Sequence, residues 1–193
     1  MLFRSFGIVV GGGFEARKKA QNLRKKGATE FECDEAAIKI TWKNAKTVAA
    51  VLGANTSIPK DFKKAKKRTE KNRIVVMGGT IPGITTDADS VLLAESLKAV
   101  RVINVSNTDG VYDSNPKENP HAKKYNQLSY EKLIELAMQS DKRMAGTHFV
   151  FDLLACRLIA RSKIETHFVN GKNLDDVEKA IHGEPHHGTV VRG

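Results

Sequence analysis

Short runs of β-branched residues alternate along this chain with longer segments of helical periodicity, and this order limits the possible folds most strongly. The apolar runs are FGIVV, RIVVM, VRVINV and KIETHFV, and segments such as EARKKAQNLRKKG and DADSVLLAESLKA lie between them. Such alternation is typical of proteins in which helices cover a mostly parallel sheet. The sequence therefore predicts an α/β fold with a mostly parallel central sheet.

The length and the charge of the chain narrow the class of protein. A chain of 193 residues suits one globular domain, which we place over residues 1–193. The net charge of +10 favours anionic partners such as nucleotides. Lys60 to Arg73 form a basic run that is a candidate nucleic-acid contact. The run has no aromatic residue besides Phe62, so we favour a solvated helix and do not expect nucleic acid as a partner.

Cysteine usage and hydropathy indicate where the protein works. Cys33 and Cys156 lie far apart and show neither a disulfide framework nor a zinc motif. The first ten residues contain too short an apolar run for a signal peptide, and no later run reaches membrane-spanning length. We therefore predict a cytoplasmic protein without a membrane partner.

Two glycine-containing junctions follow apolar runs. In the first, Gly11, Gly12 and Gly13 would let the backbone approach an anion, and Arg17 lies about one helical turn further on. In the second, GGTIPGITTD, the hydroxyl groups of threonines would join the N–H groups of a helix that begins near Asp87. Both junctions suit phosphate. The alternative is ordinary turn glycines, with Thr86 or Asp87 as an N-cap.

A dinucleotide-binding site is a competing interpretation of the first junction. The letters GGGFEA fit the loose pattern G-x-G-x-x-A, and Ala28 to Asp34 would then form a second strand that ends in a ribose-binding acid. A nicotinamide-dependent oxidoreductase would follow. The second glycine junction argues against it, because a donor and an acceptor that meet phosphate to phosphate would use both junctions.

A long polar segment, Ile103 to Leu133, is the third candidate site. Loops of this length inside a compact domain are usually functional. Tyr112 could stack on a base, Asn107 and Asn115 could bind a ring edge or ribose, and the Lys123–Lys124 pair could meet phosphate. A surface loop with ordinary turn chemistry is the alternative.

These segments together resemble the archaeal-type uridylate (UMP) kinases of the amino acid kinase superfamily. The resemblance rests on VVGGG with Arg17, GGTIPGITTDA, NTDGVYDSNP followed by AKKY, and FDLLACRLIARSKI, which occur in the family's order. It implies a three-layer α/β/α sandwich, a homohexamer, and transfer of the γ-phosphoryl group of ATP, with Mg²⁺, to UMP. No protein side chain is expected to act as a dedicated metal ligand.

The resemblance also implies roles for individual residues. Arg17 and Asp152 would be catalytic, Asp152 by organising magnesium or basic groups. The residues expected to bind UMP are Gly12, Asp34, Thr80, Ile81, Pro82, Gly83, Ile84, Thr85 and Thr86. The residues expected to bind ATP are Gly13, Arg17, Ser106, Asn107, Tyr112 and Asn115.

The chain departs from the family pattern in several places. Family members usually carry histidine at Ile81 and Ile84, threonine at Ser106 and aspartate at Asn115. They also begin with a strand and a glycine-rich turn that this sequence is expected to lack, so that it resembles an N-terminally truncated member. Two further hypotheses follow: a nucleotide-binding homologue with impaired catalysis, or a kinase for another small phosphate such as isopentenyl phosphate, for which the two isoleucines would suit an apolar acceptor.

Histidines near the carboxyl terminus raise the question of a metal site. His182, His186 and His187 lack the spacing of a metal motif, and we expect a surface turn. His148 and His167 are expected to be packing or surface residues. The apolar stripe Phe149 to Ala160 is expected to lie in the core, apart from Asp152.

Overall fold

The structure, a computed structural model, describes residues 5–55, 57–116, 118–141 and 151–193. The chain divides into two compact units, an N-terminal unit of residues 1–98 and a C-terminal unit of residues 99–193. The prediction of a single domain over residues 1–193 remains a prediction. His148 and the start of the stripe Phe149–Ala160 lie outside the described residues.

The N-terminal unit contains a parallel pair of strands and four helices. Its elements, in chain order, are β1 (Phe6–Val9), α1 (Gly13–Arg24), α2 (Glu30–Val51), α3 (Phe62–Thr69), β2 (Ile74–Met77) and α4 (Thr86–Leu97). Strand β1 runs parallel to β2, with Phe6 opposite Ile74 and Val9 opposite Met77. The two apolar runs predicted as strands are confirmed here.

This unit is built in layers because side chains of β2 point alternately to opposite faces. Val75 and Met77 pack with residues of α3 and α4, including Ala65 and Leu93. Val76 packs with Ala45 and Ala49 of α2 on the other face. Helix α1 packs in turn against α2. The two glycine junctions follow β1 and β2, so both lie at the carboxyl ends of parallel strands.

Helix α2 begins with a capping box. The Thr29 hydroxyl accepts the Glu32 N–H at 3.3 Å, and the Glu32 carboxylate accepts the Thr29 N–H at 2.8 Å. The segment Ala28–Asp34 is therefore the start of a helix. The dinucleotide interpretation predicts a strand here, and that prediction is wrong. The T-x-x-E pattern that signals such a helix start was visible in the sequence.

The C-terminal unit contains a mixed sheet. Its elements, in chain order, are β3 (Arg101–Ser106), β4 (Val111–Tyr112), β5 (Lys124–Tyr125), β6 (Gln127–Leu128), α5 (Tyr130–Asp141), α6 (Leu153–Ser162), β7 (Glu165–Asn170), α7 (Leu174–His182) and β8 (Thr189–Val191). Four strands form one sheet in the order β3-β7-β8-β6. Strand β3 is parallel to β7 and β6 is parallel to β8, whereas β7 and β8 are antiparallel.

Helices cover this sheet and one another. Helix α7 packs on β7 and β3, and α5 packs against α6. The Phe151 ring meets the Phe168 ring edge to face, with centroids 5.3 Å apart. From Phe151 onward the stripe predicted as core is buried at Phe151, Ala155, Cys156, Leu158 and Ile159. The predicted α/β architecture with a mostly parallel sheet is confirmed.

Two segments that were expected to be loops or turns form regular pairing or buried contacts. The polar segment Ile103–Leu133 includes an antiparallel pairing of β4 with β5, in which Val111 lies opposite Tyr125. The histidine turn also contributes to packing: His167 is buried and its Nδ1 lies 2.7 Å from His186 Nε2. His167 was expected to be a packing or a surface residue, and its burial makes it a packing residue, whereas His186, expected in a surface turn, is half-buried against it.

Within the described ranges, none of the helices combines the length and the apolar character needed to cross a bilayer.

Candidate active site

The segment Gly78–Thr85, here called the threonine loop, connects β2 to α4 and is held by helix α2. The Gly79 N–H donates to Thr41 Oγ1 at 2.7 Å, and Trp42 Nε1–H donates to the Gly79 carbonyl, also at 2.7 Å. Both partners of Gly79 are neighbours on one helix. The start of the loop is therefore fixed to α2 through its backbone.

The rest of the threonine loop is held by two carboxylates. The Gly83 N–H donates to Asp34 Oδ2 at 2.9 Å. Thr80 donates its hydroxyl to Asp89 Oδ1 at 2.6 Å and its N–H to Asp89 Oδ2 at 3.1 Å. Burial raises the pKa of Asp89 to about 6, against the effect of the two Thr80 hydrogen bonds. The loop conformation thus depends on acids from α2 and α4.

Between these tethers, the predicted acceptor residues differ in exposure. Ile81 is 59% exposed, and Pro82 and Ile84 are half-buried. Gly83 has φ +86°, a left-handed conformation that suits glycine. Thr85 is the N-cap of α4, since its side chain accepts the Ala88 N–H at 3.2 Å. The expectation that Thr86 or Asp87 is the N-cap is wrong by one or two residues.

The first glycine junction opens directly into α1. Gly12 is the N-cap residue and Gly13, with φ +61°, is the first helical residue. Asn44 of α2 donates its amide to the carbonyls of Gly11 at 3.0 Å and Gly12 at 3.4 Å. This turn too is therefore positioned by α2.

The amino terminus of α1 is suited to an anion. No side chain caps α1, whereas α2, α3, α4, α6 and α7 each begin with a side-chain cap. Uncapped N–H groups and the positive end of the helix dipole attract negative charge. Arg17, exposed in the second turn of α1, adds a cation and forms no ion pair with the described residues.

The two junctions lie next to each other. A Cβ placed on Gly11 would lie 3.5 Å from Thr86 Oγ1, at the first residue of α4. The amino termini of α1 and α4 are thus neighbours, and both face the carboxyl ends of parallel strands. An arrangement of this kind suits phosphate groups.

The residues predicted to bind the ATP nucleoside belong to the C-terminal unit. The Ser106 carbonyl, at the end of β3, accepts the Gly171 N–H at 2.8 Å, and its hydroxyl pairs with Thr108. Tyr112 OH donates to Asp109 Oδ1 at 2.7 Å, and Lys124 Nζ lies 2.9 Å from Asp109 Oδ2. Ser106 and Thr108 thus form one polar group at the end of β3, and Asp109, Tyr112 and Lys124 form a second polar cluster at the β4–β5 pair.

Burial and hydrogen bonds shift the pKa values of Asp109 and Tyr112 in this second cluster. Burial acts to raise the pKa of Asp109, but the hydrogen bonds from Tyr112 and Lys124 hold it below its usual value. Burial and the Asp109 hydrogen bond raise the pKa of Tyr112 to about 12, so the phenol stays protonated. Asn107 is exposed at the end of β3, and Asn115 donates to Glu118 Oε1 at 2.8 Å.

Asp152 has a structural role in the C-terminal unit. It is the N-cap of α6, where Oδ1 accepts the Ala155 N–H at 2.9 Å. Asp152 therefore lies just before α6 begins. Its predicted catalytic role remains a prediction.

Of the predicted site residues, the structure brings together those of the first junction, Gly11 to Gly13 and here called the glycine turn, with the threonine loop and Asp34. The sequence did not single out the residues that hold them: Thr41, Trp42, Asn44 and Asp89. Three of these lie in the middle of α2, and only tertiary packing brings them to the site. Among the described residues, no group of three His, Cys, Asp or Glu side chains could hold a metal ion.

Comparisons with known proteins relate this chain to one family of kinases. Residues 4–170 match the profile of the amino acid kinase family. The chain is 44% identical to the uridylate kinase of Archaeoglobus fulgidus over 185 residues, which are 95% of this chain and 83% of that protein. It is 43% identical to the uridylate kinase of Thermococcus kodakarensis over 186 residues, 95% of this chain and 82% of that one.

The fold of this chain also matches that of a solved uridylate kinase. The crystal structure of the Archaeoglobus fulgidus uridylate kinase superposes with a TM-score of 0.87 at 42% identity, and covers 97% of this chain and 84% of that one. A family profile that matches most of the chain, together with relatives at this level of identity, establishes the relationship. The chain belongs to the amino acid kinase family.

Proposed function

We propose that this chain is a uridylate kinase that transfers the γ-phosphoryl group of ATP to UMP and yields UDP. The observation that carries the proposal is the meeting of two helix amino termini, α1 without a side-chain cap and α4 at the end of the threonine loop. Two anionic substrates would need two such sites side by side. The archaeal relatives named uridylate kinase supply the identity of the acceptor.

In this proposal the N-terminal unit binds phosphate. Residues Thr80 to Thr86, which are most of the threonine loop and the first residue of α4, surround the UMP phosphate, with Gly12 and Asp34 as further UMP contacts. Asp34 holds the Gly83 N–H, so it also fixes the loop. Gly13 and Arg17 face the ATP phosphates, where backbone N–H groups and a guanidinium offset negative charge.

The C-terminal unit binds the ATP nucleoside in the same proposal. Ser106, Asn107, Tyr112 and Asn115 contact adenosine, and the Asp109–Lys124 pair orients Tyr112. Asp152 supports catalysis from the start of α6. None of these side chains acts as a nucleophile.

The reaction is an in-line attack of a UMP phosphate oxygen on the γ-phosphorus. Phosphoryl transfer depends on positioning and on the neutralisation of charge, so the groups above act by holding the reactants and by donating hydrogen bonds. Mg²⁺ is proposed to arrive bound to the phosphates of ATP. When bound, Mg²⁺ would offset charge on the phosphate oxygens.

The setting in which the enzyme works is part of the proposal. By resemblance we propose a homohexamer in the cytoplasm. Phe14, Phe31 and Val51 are 72%, 60% and 82% exposed, and such apolar surface suits contacts between copies. Size-exclusion chromatography with light scattering would give the mass of the assembly.

The experiment that tests the function incubates the purified chain with Mg-ATP and, in turn, UMP, CMP, AMP and isopentenyl phosphate, followed by phosphorus NMR. UDP from UMP is the expected product. A preference for isopentenyl phosphate would instead identify another acceptor, to which the exposed Ile81 would contribute. UMP binding without any product would indicate a nucleotide-binding homologue.

A matched pair of variants links the activity to the site. Arg17→Ala should lower kcat/KM at least about a hundredfold, the scale for removal of one charge-stabilising donor. Lys19→Ala, two residues along α1, removes an exposed cation without a proposed role and should retain activity. Equal activity of the two variants would exclude Arg17 from catalysis.

A further inference from the structure

Asp89 is a fully buried carboxyl group whose side chain, among the described residues, bonds to one threonine. It has 0% exposure, and its two oxygens accept the hydroxyl and the N–H of Thr80 at 2.6 Å and 3.1 Å. Buried acids are usually paired with a cation. Within the described residues Asp89 forms no ion pair.

The surroundings of Asp89 offer little compensation for a negative charge. Helix α4 packs against α3 and β1. Strand β1 contains no charged residue, the lysines of α3 are exposed, and the half-buried Arg68 bonds to Ser57. The other acids near this end of the site are Asp87, on the same helix, and Asp34, which holds Gly83. The pKa of Asp89 responds only to burial and to Thr80, and burial raises it.

Ionised Asp89 removes Thr80 from ligand binding. The carboxylate accepts both donors of Thr80, so neither points to an incoming phosphate. A protonated carboxyl would reverse one of these bonds, because its O–H would donate to Thr80 Oγ1. The hydroxyl hydrogen of Thr80 could then turn toward a phosphate, while the Thr80 N–H stays on the carboxyl oxygen.

We propose that Asp89 is a proton-linked positioning residue: UMP binding takes up one proton from solvent onto Asp89, which releases the Thr80 hydroxyl to donate to the UMP phosphate. The inference rests on the proposed function, since it needs a phosphate in the threonine loop. The physical reason is repulsion. A dianion near the loop raises the free energy of the buried carboxylate, and protonation removes that cost.

Asn at position 89 mimics the protonated state. Its amide oxygen would accept the Thr80 N–H and its NH₂ would donate to Thr80 Oγ1. Asp89→Asn therefore tests the proton directly, with little change in shape. If Asp89 only held the loop in place, Asp89→Asn and the wild type would bind UMP with the same dependence on pH.

The experiment is calorimetric titration of the full chain with UMP between pH 6.5 and 7.5, in buffers of different ionisation enthalpy. The wild type should take up close to one proton more per UMP than Asp89→Asn. Its UMP affinity relative to the variant should fall several-fold over this range, towards the tenfold per pH unit that linkage of one proton allows. The comparison cancels the ionisation of UMP itself. Glu95→Gln, on the exposed face of α4, should behave as the wild type.

The outcomes separate the inference from the function on which it rests. Equal proton uptake by wild type and Asp89→Asn, with UMP bound to both, would overturn the role of Asp89. UMP that binds none of the proteins would overturn the proposed function. Should the variant fail to fold, carboxyl ¹³C NMR of the wild type decides. The Asp89 midpoint should rise by about two pH units when UMP is added, as an uptake of close to one proton requires, and an unmoved midpoint would refute the inference.

Discussion

Gly78→Ala is the substitution that most directly tests how the threonine loop is held. Gly78 lies where β2 ends and α2 passes close by. A Cβ at this position would lie 2.5 Å from Thr41 Oγ1, 2.8 Å from the Thr41 carbonyl carbon and 3.0 Å from its oxygen. Two of these atoms are backbone, so side-chain rotation cannot relieve the clash. The alanine must push β2 and α2 apart.

The expected loss of stability is about 3 kcal/mol. Overpacking of a well-packed interior costs about 1–3 kcal/mol. Separation of β2 from α2 also stretches the buried bond from the Gly79 N–H to Thr41 Oγ1, and an unsatisfied buried donor costs about 1–3 kcal/mol. The φ of Gly78 is not positive, so alanine adds no backbone strain and the cost is steric.

Urea unfolding followed by the fluorescence of Trp42 measures this loss. Trp42 is the only tryptophan and is bonded to Gly79, so it reports on the loop itself. Gly11→Ala is the matched control, because its Cβ would meet only Thr86 Oγ1 at 3.5 Å. The control should stay within about 0.5 kcal/mol of the wild type. If Gly78→Ala is as stable as Gly11→Ala, the close approach of β2 and α2 is refuted.

Three further substitutions test other contacts. Trp42→Phe removes the bond to the Gly79 carbonyl and should cost about 1 kcal/mol by circular dichroism, with a raised KM for UMP. Thr29→Ala removes the cap of α2 and should cost about 1 kcal/mol in urea unfolding, whereas Thr47→Ala, inside the same helix, should cost nothing. Burial lowers the pKa of His167, so its contribution to stability is present above pH 6.5 and is lost as the pH falls. His167→Gln should lose less stability than the wild type between pH 7 and pH 5.5; an equal loss would exclude this histidine as the cause.

Local sequence patterns predicted most of the fold. The runs that became β1, β2, β3 and β7 contain β-branched residues bounded by polar or glycine residues, which is a local signal. Helix starts were less certain. Thr85 caps α4 although Thr86 and Asp87 offered equivalent side chains, because the choice among neighbouring polar residues depends on how the loop enters the helix.

The candidate site was predictable in its residue types but not in its connections. The glycines, the threonines and Arg17 stand in recognisable junctions. The bond between Asp34 and Gly83 joins residues 49 positions apart, and Asp89 looks like one more acid in the first turn of a helix. Its complete burial follows from tertiary packing, for which a single sequence carries no signal.

The geometry of α2 has a consequence for how sequences of this kind can diverge in length. Asp34, Thr41, Trp42 and Asn44 all contact the glycine turn or the threonine loop. Each residue added to a helix rotates everything beyond it by about 100°. One inserted or deleted residue between Asp34 and Asn44 would therefore turn part of this set away from both loops at once. Among related sequences, insertions and deletions near this helix should accordingly occur before Thr29 or after Val51, where they would leave the spacing of these four residues unchanged.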